Sequence, residues 1–232
     1  MIERCKNRLF LMKIYKDQKI VLVMLGAPGA GKGTQAYYLS NILQIPQIST
    51  GNLLRENLSQ NSTEQKTKQY INTGQLVPDQ IVMNLLWKRL KEVDCQKGYI
   101  LDGFPRTVSQ AEMLDTMIHK TEFRLIVISL EVPDELIVER VSGRIICKKC
   151  GAPYHKITNP STKEVCEKCG EQLIQRKDDT KIVVLERLKV FHQQTQPVKD
   201  YYAKKGDLVL IDGALPINKI HCQIKEKLES AL

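Results

Sequence analysis

Apolar residues gather in four short runs, separated by longer segments of mixed polarity. Residues 20–25 (IVLVML) form an unbroken aliphatic run, and Tyr99–Leu101, Leu125–Leu130 and Leu208–Ile211 repeat the pattern. Short runs without polar alternation predict strands buried on both faces. Between them, helical patterns lie over 32–43, 78–91, 109–119, 133–142, 181–204 and 216–230. Pro197 lies inside 181–204 and, having no backbone N–H to donate, predicts a kink or a division there. Strands alternating with helices predict an α/β fold, with a parallel sheet covered by helices on both faces and joined by right-handed crossovers.

Two segments break the alternation. Residues 49–77 read as short polar helices without a strand, and 143–179 are rich in cysteine, lysine and turn residues. Both read as inserts on a three-layer core. The expected organisation is a basic extension over 1–19, core over 20–48, a first insert over 49–78, core over 79–142, a second insert over 143–179 and core over 180–232.

Charge narrows the picture. The net charge is +9, of which residues 1–19 carry +4 and residues 140–181 carry +5, so the rest sums to zero. A basic balance suggests nucleic acid, but charge confined to a tail and one insert suits a polyanionic small substrate equally well. No apolar run approaches the ~20 residues of a membrane span, and no secretory leader is evident. Residues 1–19 read as a loosely attached arm, with a degenerate organelle-targeting segment as the alternative; the expected location is cytoplasmic.

Residues 26–35, GAPGAGKGTQ, fit G-x-x-x-x-G-K-x between a strand and a helix, the context a phosphate loop requires. Gly29, Ala30, Gly31, Lys32, Gly33 and Thr34 would present backbone N–H groups, a helix N-terminus and an amine to nucleotide phosphates. Gly33 stands where the usual pattern has a metal-holding hydroxyl, so Mg²⁺ must be held differently. Asp102, at the carboxyl end of the run Tyr99–Leu101, is suited to holding it through water. No guanine-reading N/TKxD motif accompanies the loop: Asn218-Lys219 is followed by Ile220-His221.

Of seven cysteines, four form Cys147-x₂-Cys150-x₁₅-Cys166-x₂-Cys169. That spacing predicts four thiolates around one structural Zn²⁺ with no open position. Iron in the same ligands, a nucleic-acid-binding zinc ribbon and a redox pair are the other readings. His155 reads as an unligated surface residue, and Trp87 as core packing.

Five further stretches follow in order: STGNLLR (49–55), GQLVPD (74–79), GYILDGFPRTVSQ (98–110), ERVSGR (139–144) and RKDDT (176–180), with Arg187 beyond. With the phosphate loop and the two cysteine pairs, they closely resemble the adenylate kinases in their long-lid, metal-binding form, from about Ile20 to the C-terminus. The resemblance implies a P-loop NTPase-type core, an AMP-binding insert and a zinc-held lid. It implies Mg-dependent transfer between ATP and AMP to give two ADP, by a monomer without nucleic-acid or membrane partners. It also implies that Arg55 and Arg106 clamp the AMP phosphate, with Thr50, Gly51, the backbone of Gln75, Leu76 and Val77, and Gly103, Phe104 and Pro105 completing that pocket. Gln110 would read the adenine edge. Arg140 and Arg144 would approach the ATP phosphates, Arg176 and Arg187 would bridge the transferring phosphoryl group, and Pro153, Tyr154 and Leu215 would line the donor base. Asp178 and Asp179 would hold the lid hinge, with service as helix-start carboxylates the compatible alternative. The chain departs from the family's common pattern at Asn52, where Asp is frequent. GTP in place of ATP, or another nucleoside monophosphate as acceptor, stays open.

Overall fold

The computed structural model of the chain describes residues 18–57, 64–162, 164–176 and 178–230. The expected extension 1–19 therefore lies outside the described residues except at its last two positions, where Lys19 pairs with Glu122 at 2.9 Å.

The core sheet comprises β1 (Ile20–Gly26), β2 (Gln47–Ser49), β3 (Gly98–Asp102), β4 (Arg124–Glu131) and, after three short strands described below, β8 (Leu208–Asp212). Its order is β2-β3-β1-β4-β8, with every pairing parallel. β1 is buried along its whole length. Ile20, Leu22 and Met24 enter one hydrophobic cluster, while Val21, Val23 and Leu25 enter the other. The two-residue period of a strand thus feeds both helix layers from one unbroken apolar run.

The helices are α1 (Lys32–Leu43), α2 (Thr50–Asn57), α3 (Glu64–Thr73), α4 (Asp79–Leu90), α5 (Val108–Ile118), α6 (Asp134–Ser142), α7 (Lys181–Val190), α8 (Gln196–Lys205) and α9 (Ile217–Ser230). In α9, Ile220, Ile224 and Leu228 recur every four residues and all three are buried. The pattern expected over 181–204 is divided: α7 ends at Val190, a π segment spans Phe191–Thr195, and Pro197 falls in the first turn of α8. In that first turn its missing N–H costs little. Trp87 is partly buried against the second cluster, as core packing requires.

Two sets of short strands lie outside the four apolar runs. Gln47–Ser49 forms β2, at the edge of the sheet where the sequence suggested none; three residues with polar Gln47 and Ser49 leave no apolar run to detect. The second insert carries a small antiparallel sheet, β5 (Arg144–Cys147), β6 (Pro153–His155) and β7 (Leu173–Ile174), in the order β6-β5-β7.

Candidate active site

β1 and β3 end side by side, with Met24 level with Asp102. Beyond β1 the chain turns through residues 26–31 into α1. Gly26, Gly29 and Gly31 in that turn have φ of 134°, 87° and 96°, values that residues with a Cβ rarely adopt. A Cβ on Gly29 would sit 2.5 Å from Val141 Cγ2, so the loop packs directly on α6.

Lys32 Nζ donates to the carbonyls of Gly26 and Ala27, both at 2.8 Å, which holds the amine inside its own loop. Asp102 faces the start of α1, where a Cβ on Gly33 would stand 3.1 Å from Asp102 Oδ2. The glycine after the lysine therefore makes room for the carboxylate. Gln47, which the sequence did not single out, donates from Nε2 to Asp102 Oδ2 at 3.2 Å and to Gly33 O at 3.4 Å. Its position in β2 was the only available signal, and β2 itself was missed.

A cavity of about 1090 Å³ runs from the phosphate loop between the two inserts. That exceeds the ~300–1,000 Å³ usual for one ligand, so two nucleotides have room. Nearly every expected site residue lines it: Gly29 to Thr34, Thr50, Gly51, Arg55, Gln75 to Val77, Asp102, Gly103, Arg106, Gln110, Arg140, Arg144, Pro153, Tyr154, Arg176, Asp178, Arg187 and Leu215. Phe104 does not; its ring is fully buried in the second cluster. Pro105, joined to it by a cis peptide, borders a smaller cavity of about 50 Å³ behind the loop.

The arginines are held one by one. Arg55 donates to Asn52 Oδ1 at 2.7 Å, so the uncharged Asn52 still orients it. Arg106 Nε donates to Gly103 O at 2.8 Å, an oxygen that also accepts from Thr50 Oγ1 at 2.8 Å. Arg140 donates to Gly213 O and Ala214 O at 2.7 and 3.2 Å, which sets its guanidinium against the loop that carries Leu215. Arg144 pairs with Asp179, Arg176 with Asp178, and Arg187 with Asp178 at 3.0 Å.

Asp178 and Asp179 are therefore buried counter-charges. Thr180, not either aspartate, caps α7 by accepting from Val183 N. The Arg144–Asp179 pair ties the first strand of the second insert to the segment that leaves it.

The field of this cluster favours an anion. Burial lowers the Lys32 pKa to about 7; Asp102 opposes the shift, while Arg106, Arg187 and Arg144 add to it. Burial and then Arg176 lower Arg55 and Arg187. Arg106 is lowered chiefly by burial, against the pull of Asp102. Burial alone would raise Asp178, yet Arg176 and Arg187 hold its carboxyl far below the usual range. Guanidinium groups keep their protons, so the downward shifts mark positive charge that a polyphosphate would neutralise.

In the second insert, the Sγ atoms of Cys147, Cys150, Cys166 and Cys169 all lie within 4.8 Å of one another. Cys147–Cys169 and Cys150–Cys166 are each 3.5 Å apart. Tetrahedral zinc with ~2.3 Å bonds spaces its sulfurs by about 3.8 Å, so the four residues fit that ion. His155 stays outside the cluster, as an unligated and partly exposed residue. Its Nδ1 accepts from the backbone N–H of Ile157 and Thr158 at 3.1 and 3.2 Å, and its buried Nε2 packs against Gly143 without a partner among the described residues.

Comparison with known proteins agrees with this geometry. The profile of the family described as adenylate kinase matches residues 24–207. An adenylate kinase of Caldicellulosiruptor bescii is 54% identical over 196 residues, covering 83% of this chain and 91% of that protein. One of Clostridium perfringens is 48% identical over 204 residues, covering 87% and 94%. One of Methanosarcina mazei is 48% identical over 208 residues, covering 88% and 96%.

Proposed function

This chain belongs to the adenylate kinase family, and from that premise we propose how its own residues carry out ATP + AMP ⇌ 2 ADP. The observation that carries the reading is one cavity bounded by a phosphate loop at one end and an arginine-lined second pocket at the other.

ATP phosphates lie on the backbone N–H groups of residues 29–34, with Lys32 turning from the carbonyls of Gly26 and Ala27 to the β- and γ-phosphates. Arg55 and Arg106 hold the AMP phosphate from the opposite side. An AMP phosphate oxygen attacks the γ-phosphorus in line; the bond to the β–γ bridging oxygen breaks, and ADP leaves. The attacking oxygen is already ionised, so no general base is required, and catalysis rests on positioning and charge neutralisation. Arg144, Arg176 and Arg187 take up the charge spread over the transferring group. Asp178 and Asp179 keep those guanidiniums aimed while the site is empty.

Mg²⁺ bound with ATP would supply further neutralisation of the phosphates, held through water by Asp102, which Gln47 fixes. Zn²⁺ in the four cysteines would supply a cross-link that orders the lid, here residues 143–179, which closes over the first insert. A Cβ on Gly151 would stand 3.5 Å from Asn52 Nδ2, so the lid comes near the AMP-binding insert there, which supports closure of one on the other. Water is thereby excluded from the transferring phosphoryl group.

The protein acts as a monomer, since one chain supplies both halves of the cavity. Arg144 and Arg176 of the lid line the cavity, which supports a small polyanion as the ligand of the lid in place of nucleic acid. Among the described residues no helix is long and apolar enough to cross a membrane. Four thiolate ligands call for the reducing conditions of the cytoplasm.

A coupled assay pairing ATP or GTP with AMP, CMP, UMP or GMP tests the reading. ATP with AMP is expected to give the highest kcat/KM. A preference for GTP, or for another acceptor, overturns the assignment of the two base pockets.

A further inference from the structure

Gln110 is only 2% exposed, yet it borders the cavity at its acceptor end. Both ends of its amide are already engaged. Oε1 accepts from the backbone N–H of Arg106 at 2.8 Å, and Nε2 donates to Asp79 Oδ1 at 2.6 Å. The partners themselves decide which end is which, because a backbone N–H can only donate and a carboxylate only accepts. Asp79 is held in turn: its Oδ2 accepts from Thr107 Oγ1 at 3.1 Å, and that hydroxyl caps α5 by accepting from Gln110 N at 3.1 Å. The loop is closed, and turning the amide over would set donor against donor at Arg106 and acceptor against acceptor at Asp79.

We propose that Asp79 is a specificity-determining positioning residue, which locks the Gln110 amide so that it matches adenine and rejects a 6-oxopurine. The proposal rests on the reading that the acceptor base meets Gln110. After its two internal bonds, the amide keeps one N–H and one oxygen lone pair for a ligand. Adenine presents an acceptor at N1 and a donor at N6, which pair with that N–H and that oxygen. Guanine and hypoxanthine present the reverse, a donor at N1 and an acceptor at O6. An amide free to turn over would serve either class, so selectivity arises from the lock and not from glutamine alone. Unpaired polar groups at a buried site are what make such discrimination strong.

The test compares AMP with inosine monophosphate, which carries the reversed edge without guanine's additional amino group. Wild type is expected to favour AMP strongly. In Asp79→Asn the new side chain can donate as well as accept, so turning the Gln110 amide over meets one mismatch, at the Arg106 N–H, in place of two. The ratio of kcat/KM for inosine monophosphate over AMP is then expected to rise about tenfold, the value of one mismatched hydrogen bond made good, with the KM for ATP unchanged. Asp79→Ala, which removes the acceptor without adding a donor, reads the same ratio independently. A ratio that stays at the wild-type value in both variants overturns the lock, as does a wild type indifferent to the two acceptors. Gln110→Leu separates the two ideas. If it leaves the KM for AMP unchanged, the base does not meet Gln110 and the underlying reading fails. If it raises that KM while the Asp79 variants keep the wild-type ratio, only the lock fails.

Discussion

At the scale of single residues, the site is a set of charges that solvent cannot satisfy. Lys32 is the sharpest case, with its pKa drawn down to about 7 chiefly by burial. Bound phosphates favour the ammonium form and raise that pKa again. Above pH 7 the empty site therefore holds a growing share of neutral amine, and ATP binding must take up a proton. Calorimetry at pH 8 in two buffers of different ionisation enthalpy is expected to show net proton uptake, and Lys32→Met is expected to lose most of it. Buffer-independent heats in the wild type would contradict the assignment. Affinity for ATP should accordingly weaken as pH rises from 7 to 9. Gly33 and Gln47 belong to the same scale: one admits the Asp102 carboxylate, the other steadies it.

At the scale of elements, the π segment is where the sequence pattern and the chain part company. The extra residue turns His192 so that Nε2 meets Asp134 at the start of α6 and Nδ1 meets Gln196, each at 2.8 Å. The hydrogen bonds to Gln196 and Asp134 raise the pKa of the imidazole. A group whose pKa is raised on folding contributes stability in full below its unfolded pKa of ~6.5 and loses it as pH climbs through the folded value. The Tm deficit of His192→Ala against wild type is thus expected to be larger at pH 5.5 than at pH 9. An equal deficit at both would remove the charge from the account. The contribution is small, because both side chains are close to half exposed.

At the scale of the whole molecule, the lid has very little core of its own. Cys147, Ala152 and Cys166 are its buried cluster, packed against Tyr154 and Leu173 and against Tyr37 of α1. Lys168 lies over the Tyr37 ring at 5.1 Å, a second contact between lid and core. So small a cluster does little to offset the conformational entropy of the insert, a deficit that the proposed zinc in the four cysteines would make up. Elemental analysis is expected to find about one zinc per chain. Chelation is expected to lower Tm and to cut kcat at least tenfold, while far-UV circular dichroism keeps most of its helical signal from the sheet-and-helix core. An unchanged Tm in metal-free protein would refute a structural role.

What the sequence determined by itself is the chemistry that depends on local pattern. The phosphate loop and the four cysteines are legible because each function needs fixed residue types at fixed spacing, and the arginines because they sit in stretches that resemble those of the family. The four main strands and the helices around them are legible because burial imposes their periods. Other features depend on distant segments meeting. β2 is three mostly polar residues that become a strand only beside Ile100 and Asp102. Asp178 and Asp179 read as lid-hinge or helix-start carboxylates, and only the fold brings Arg144 of β5 and Arg187 of α7 onto them beside their neighbour Arg176. Gln47 lies in no motif, and Asp79 closes GQLVPD without the motif revealing its partner, since each acts through a side chain that lies 55 or 31 residues away. No local pattern encodes which donor meets which acceptor across such distances; the packing of the sheet and its two inserts decides it.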